Sequence, residues 1–109
     1  MRIEILSCAE EEFAEAVRFY NQQCPGLGYE FAAETKAAFE RIASYPNAWP
    51  TFSPRSRRCI VNRFPYGVLY QIRPDSILIV AIMHLMRDPI CWQERMKRNS
   101  GEQPASADD

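Results

Sequence analysis

The sequence is sparing with the residues that mark most well-known chemistries. Histidine occurs once, as His84, and glycine only four times, as Gly26, Gly28, Gly67 and Gly101. Gly26-Leu27-Gly28 has neither a preceding strand nor the third glycine of a dinucleotide-binding loop, which excludes that fingerprint. There is no G-x-S-x-G element, so serine-hydrolase chemistry of the elbow type is unsupported. The four cysteines, Cys8, Cys24, Cys59 and Cys91, form no C-x-x-C pair and have no histidine at ligand spacing. That argues against zinc, and no metal or cofactor is expected. No apolar run reaches membrane-spanning length; the longest is Ile77 to Met83. The opening MRIEILSCAEEEF carries no apolar signal region. The expectation is a protein of a reducing cytoplasm, without a membrane partner, whose cysteines serve as small core hydrophobes.

A chain of 109 residues suits one domain with one core. The net charge of -1 hides an uneven distribution. Residues 1–54 hold eight acids and four bases, residues 55–98 nine bases and three acids, and residues 99–109 three acids. A basic middle is a footprint for an anionic partner such as nucleic acid, or simply a solvated strand edge.

Hydrophobic spacing sets the element order. Arg2 to Leu6 alternates as a short strand. Ser7 to Glu10 fits a capping box, and Ala9, Phe13, Ala16, Val17 and Tyr20 form a helical stripe ending near Gln23. The glutamates between Glu10 and Glu15 read as the solvated face of that helix. Pro25 to Gly28 breaks it. Leu27, Phe31, Thr35, Ala38, Phe39, Ile42 and Tyr45 give a second stripe, which Pro46 stops. Asn47 to Ser56 reads as a loop. Strands are expected over Arg58 to Phe64, Val68 to Arg73 and Ile77 to Met86, with turns at Phe64-Pro65-Tyr66-Gly67 and Arg73-Pro74-Asp75-Ser76. The last strand is apolar on both parities, which predicts cover on both its faces. Ile90 to Arg98 reads as a helical turn or two. The expected fold is α+β, a helical hairpin on a small twisted antiparallel sheet in the order β-α-α-β-β-β. Residues 1–98 form the domain, and residues 99–109 have the composition of a disordered acidic tail.

Candidate functional residues gather in Arg57 to Trp92, with arginines at strand ends and turns. His84 has the one side chain whose ordinary pKa suits proton transfer near neutrality, although a hydrogen-bonded core histidine is the plainer reading. Arg63 and Arg87 could meet it at one sheet edge. Such a trio could act on a phosphodiester without a metal: the arginines hold the developing charge while the histidine moves a proton.

The elements Arg63-Phe64-Pro65-Tyr66-Gly67-Val68-Leu69-Tyr70, Ala81-Ile82-Met83-His84, Arg87-Asp88-Pro89 and Trp92, with Phe19-Tyr20 and Pro25 to Gly28 upstream, resemble the RelE/ParE superfamily of bacterial toxins. The resemblance spans roughly residues 3–95. It implies the toxin of a type II toxin–antitoxin module, a plasmid-stabilisation type of system, neutralised by a cognate antitoxin protein. Members of the superfamily either cleave messenger RNA on the ribosome or inhibit DNA gyrase. For the cleaving branch, the resemblance implies Arg63, His84 and Arg87 as catalytic residues of a metal-independent endoribonuclease. Arg55, Arg57 and Arg58 would then stand in for the substrate-binding lysines that this chain lacks. The tyrosine base of RelE itself has no match, and Trp92 falls near its place. A different class is a non-catalytic protein-binding module that retains the fold.

Overall fold

A computed structural model describes residues 2–86. The elements are β1 (Arg2–Ile5), α1 (Ser7–Gln23), α2 (Leu27–Ser44), β2 (Thr51–Ser53), β3 (Ser56–Ile60), β4 (Tyr66–Ile72) and β5 (Ser76–His84). Two helices cover one face of a five-stranded sheet in the order β1-β5-β4-β3-β2. The α+β hairpin-on-sheet architecture is the one expected from the sequence. Arg87, the helical turn over Ile90 to Arg98 and the tail 99–109 lie outside the described residues. Among the described residues, no helix is long and apolar enough to cross a membrane.

Three details differ from the sequence reading. The segment taken as a loop contains β2, which pairs antiparallel with β3 through Thr51 and Arg57. Pro50 and Pro54 sit just outside this three-residue edge strand, where a missing N–H costs no ladder bond. The sheet is mixed, because β1 runs parallel to β5, with Arg2 opposite Ser76 and Ile5 opposite Ile79. Parallel neighbours need a long crossover, and here everything from α1 to β4 lies between the two strands. Finally, Ser7 does not cap α1. Leu6 holds the N-cap position with no side-chain cap, and its N–H is spent on the Ile79 carbonyl at 3.0 Å. Ser7 is thereby drawn into the first turn, and no capping box forms.

The hairpin between the helices is fastened by one side chain. The Asn21 carboxamide oxygen accepts the N–H groups of Gly26 at 3.1 Å and Gly28 at 2.8 Å. It does for α2 what an N-cap side chain would do. Gly26 occupies that cap position at φ 92°, a left-handed conformation suited to glycine.

The main core lies between sheet and helices. Ala9, Ala16, Phe31, Ala38 and Ile42 meet Cys59, Val61, Val68, Tyr70, Ile77, Ile79 and Ile82 there. Burying a side chain such as Phe31 contributes about 1.5–3 kcal/mol. Four of the rings, Tyr20, Phe31, Phe64 and Tyr66, form one cluster with centroids 5.0–6.2 Å apart. A β-bulge gives β5 one extra residue, since Leu69 faces Ala81 while Tyr70 faces Ile79. Val80 is therefore the odd residue out. Val80, Ala81, Met83 and Leu69 form a second buried cluster. Both parities of β5 are thus buried, as its continuous apolar pattern predicts.

Candidate functional site

Among the described residues, Arg63 and His84 lie in different surroundings. Arg63 stands in the β3–β4 turn at φ 74°. Its guanidinium reaches across to α2, where Nη2 donates to Glu30 Oε1 at 2.7 Å and Nη1 lies 3.6 Å from Glu34 Oε2. The hydrogen bond and charge of Glu30, helped by Glu34, hold this arginine even more firmly protonated than usual. It also lies over the Phe64 ring at 5.5 Å. Arg63 is a tethered, charge-neutralised residue.

His84 ends β5 directly opposite Tyr66, and the two rings meet edge-on at 5.0 Å. The Met86 N–H donates to His84 Nδ1 at 3.1 Å, which leaves Nε2 as the protonated nitrogen of the neutral ring. The imidazole opens onto a cleft of about 460 Å³ between the end of β5 and α1. Its walls include Tyr66, Ile82, Phe19 and Met86, and its charged lining is Glu12 and Glu15. The Glu12 carboxylate also accepts the Ile82 N–H at 3.0 Å. Phe19 is half exposed and Met86 almost fully so. Among the described residues, the surroundings of His84 are apolar and acidic, and Arg63 is not among them.

The basic triplet divides by strand geometry. Arg57 pairs with Tyr70 in the β3–β4 ladder, and its Nη1 donates to the carbonyls of Trp49 at 2.6 Å and Asn47 at 3.3 Å. It staples the loop before β2 to the sheet. Arg58 is its neighbour in the strand and so projects to the other face. Its guanidinium lies over the Phe52 ring at 5.4 Å, and its stem crosses Gly67. Arg55 is exposed in the turn between β2 and β3. Arg87 lies outside the described residues.

Two features escaped the sequence reading. Glu12, read as part of a solvated face, reaches the sheet backbone. The signal was available, because Glu12 lies three residues after Ala9 and four before Ala16, on the apolar stripe itself. The second is Arg41, in the last turn of α2, whose Nη2 donates to the Ile60 carbonyl at 3.2 Å and approaches Cys59 Sγ at 3.9 Å. Burial pushes the Cys59 thiol up, and Arg41 only partly offsets this. Nothing in the spacing of Arg41 marks that contact. Among the described residues no group of three or more His, Cys, Asp and Glu side chains could hold a metal ion.

A helical hairpin on this five-stranded sheet, with the R-F-P-Y turn closing β3 onto β4, is the fold expected of the RelE/ParE superfamily. The model of the family described as "ParE toxin of type II toxin-antitoxin system, parDE" matches residues 3–89, and the chain belongs to that family. Among solved structures, a chain of the chromosomal ParDE toxin–antitoxin system from P. aeruginosa is similar, with a TM-score of 0.64. Its sequence is 14% identical, and the match covers 78% of this chain and 96% of that one. At that identity the likeness speaks to fold alone. No curated protein sequence matches the chain.

Proposed function

We propose that this chain is a growth-inhibiting toxin that acts in the cytoplasm by binding a protein target, DNA gyrase, and not by cleaving RNA. A cognate antitoxin would hold it inactive, and a plasmid-stabilisation role would follow from that pairing. The observation carrying this reading is the placement of carboxylates. Arg63 is neutralised by Glu30 and Glu34, and His84 opens onto a cleft lined by Glu12 and Glu15. A phosphodiester brought to His84 would meet negative charge, which raises the barrier that a ribonuclease must lower. An apolar cleft rimmed by exposed Phe19 and Met86 suits contact with a protein surface.

The test uses the purified full-length chain in two reactions, gyrase supercoiling and ribosome-dependent cleavage of messenger RNA. Inhibited supercoiling with intact message is expected. Message cleavage that disappears in His84→Ala and Arg87→Ala would overturn the reading in favour of the endoribonuclease. If neither reaction responds and induction leaves growth unchanged, the chain is a binding module that retains the toxin fold.

A further inference from the structure

Several of the described arginines have evident partners. Arg2 is ion-paired to Glu4 and Arg63 to Glu30, Arg57 serves backbone carbonyls, and Arg73 donates to Gln71. Arg41 and Arg58 share a setting that none of these has, and neither has a carboxylate partner among the described residues. Both line one cleft of about 430 Å³ where β2 ends and leaves the outer edge of β3 uncovered. Arg41 enters from the end of α2, and Arg58 enters from β3. Trp49, Thr51 and Asn62 add polar and aromatic lining, and no described lining residue is acidic.

Each guanidinium is held in place with donors to spare. The acceptors at Ile60 and Cys59 engage only Nη2 of Arg41, whose guanidinium carbon stands 6.0 Å from the centre of the Trp49 ring. An arginine carries five N–H donors, so Nε and Nη1 of Arg41 remain unengaged among the described residues. Arg58 is braced by the Phe52 ring and by the space over Gly67, where a Cβ would come within 3.0 Å of its Cγ and Cδ. Beside them the Trp49 Nε1–H is buried without an acceptor among the described residues. Two like charges fixed in one cleft, with no counter-charge among the described residues, gain from a shared anion.

We propose that this cleft binds the phosphate of a nucleotide unit, held between Arg41 and Arg58, with the sugar and base against Trp49, Thr51 and Asn62. Three observations favour a nucleotide over the carboxylate of an acidic peptide. The volume suits a small-molecule site, which spans about 300–1,000 Å³, and exceeds what one carboxylate side chain fills. Two guanidiniums entering from different elements match the several directions of a tetrahedral phosphate better than one planar carboxylate. An indole wall adds a surface on which a base can stack. The site is separate from the His84 cleft, and its occupancy does not depend on which target the toxin has. A free nucleotide and a unit within a single strand present the same chemistry, so the experiment separates them.

The experiment titrates the full-length chain with adenosine 5′-monophosphate, adenosine, a short single-stranded oligodeoxynucleotide and a polyglutamate peptide. Variants are Arg41→Gln, Arg58→Gln and, as a control outside the cleft, Arg18→Gln, with thermal melts to confirm folding. At least one phosphate-bearing probe should saturate, adenosine should not, and each cleft variant should weaken binding at least about tenfold, as for lost hydrogen bonds to a charged group. Equal affinity for mononucleotide and strand identifies a free nucleotide as the ligand. Preference for the strand, with a log–log salt slope of about -0.7 for the one phosphate held in the cleft, identifies nucleic acid. If a glutamine variant fails to fold, Gly67→Ala serves instead; it displaces the Arg58 stem without removing charge and should also weaken binding. The proposal is overturned if no phosphate-bearing probe saturates, if only polyglutamate does, or if folded cleft variants bind as the parent does.

Discussion

Glu12 of α1 and Ile82 of β5 are joined by a hydrogen bond in which the carboxylate Oε1 accepts the Ile82 N–H at 3.0 Å. The contact follows from where β1 stops. β1 pairs with β5 only as far as Ile79, and the bulge at Val80 then turns the Ile82 amide toward the edge that β1 no longer covers. A side chain from α1 supplies the acceptor that a longer strand would have offered. We expect Glu12→Ala to destabilise the fold by about 1–3 kcal/mol, the cost of stranding a largely buried amide. Glu12→Gln keeps an oxygen acceptor and should lose less. Urea midpoints of the two variants decide the matter, and equal losses would contradict this account.

The helical hairpin rests on the fit of Gly28 against α1. A Cβ at Gly28 would lie 2.2 Å from the Val17 carbonyl oxygen and 2.7 Å from Asn21 Cγ. The first contact is with backbone, so the helices themselves must part. Gly28→Ala should cost about 1–3 kcal/mol or somewhat more, as overpacking does. Asn21→Ala removes the acceptor for two amides and should cost about 0.5–2 kcal/mol, like a lost helix cap. Because parting the helices already pulls Gly28 from Asn21, the double variant should cost less than the two losses added. A strictly additive cycle would show that the two residues act independently.

These contacts explain what could be read from the sequence. Ala9, Ala16, Phe31, Ala38 and Ile42 are buried where the helical period places them, and Pro65 and Pro74 fall between strands. Local spacing suffices for such features because each depends on neighbours within a turn or two. β2 was illegible because three residues cannot display a period. The parallel pairing of β1 was illegible because four residues carry no mark of direction. For the site, strand alternation already separates Arg57 from Arg58, so the basic triplet was never one surface. Arg63 with Glu30 is different: the partner lies 33 residues away on a helix, and no local pattern announces it.

Arg63 also sets two small energies against each other. Its φ of 74° costs a residue with a Cβ about 1–2 kcal/mol. Its ion pair with Glu30 is exposed on both sides, so water screens it and its contribution is small. Arg63→Gly removes strain and ion pair together, so its thermal midpoint should stay close to that of the parent. Arg63→Ala loses the ion pair and keeps the strain, and should be the less stable of the two. The order of their thermal midpoints is the test, and an alanine variant matching the glycine one would remove strain from the explanation.

Tyr70 gives the fold an alkaline limit. Its hydroxyl donates to the Pro46 carbonyl at 2.6 Å, and its side chain is fully buried. Burial pushes the phenol up to about 12 from its usual 10; Arg57, opposite it in the ladder, pulls the other way, and Cys59 adds slightly to the rise. The folded state therefore favours the neutral phenol more than the unfolded chain does. That contribution is complete below about pH 10 and is lost as pH rises toward about 12. Tyr70→Phe should lose about 0.5–1.5 kcal/mol at neutral pH, since the Pro46 carbonyl loses its donor. In exchange it should fall less steeply than the parent through that alkaline window. Denaturant midpoints followed from neutral pH to pH 12 check both parts. Parallel decline of parent and variant would mean that some other group sets the alkaline limit.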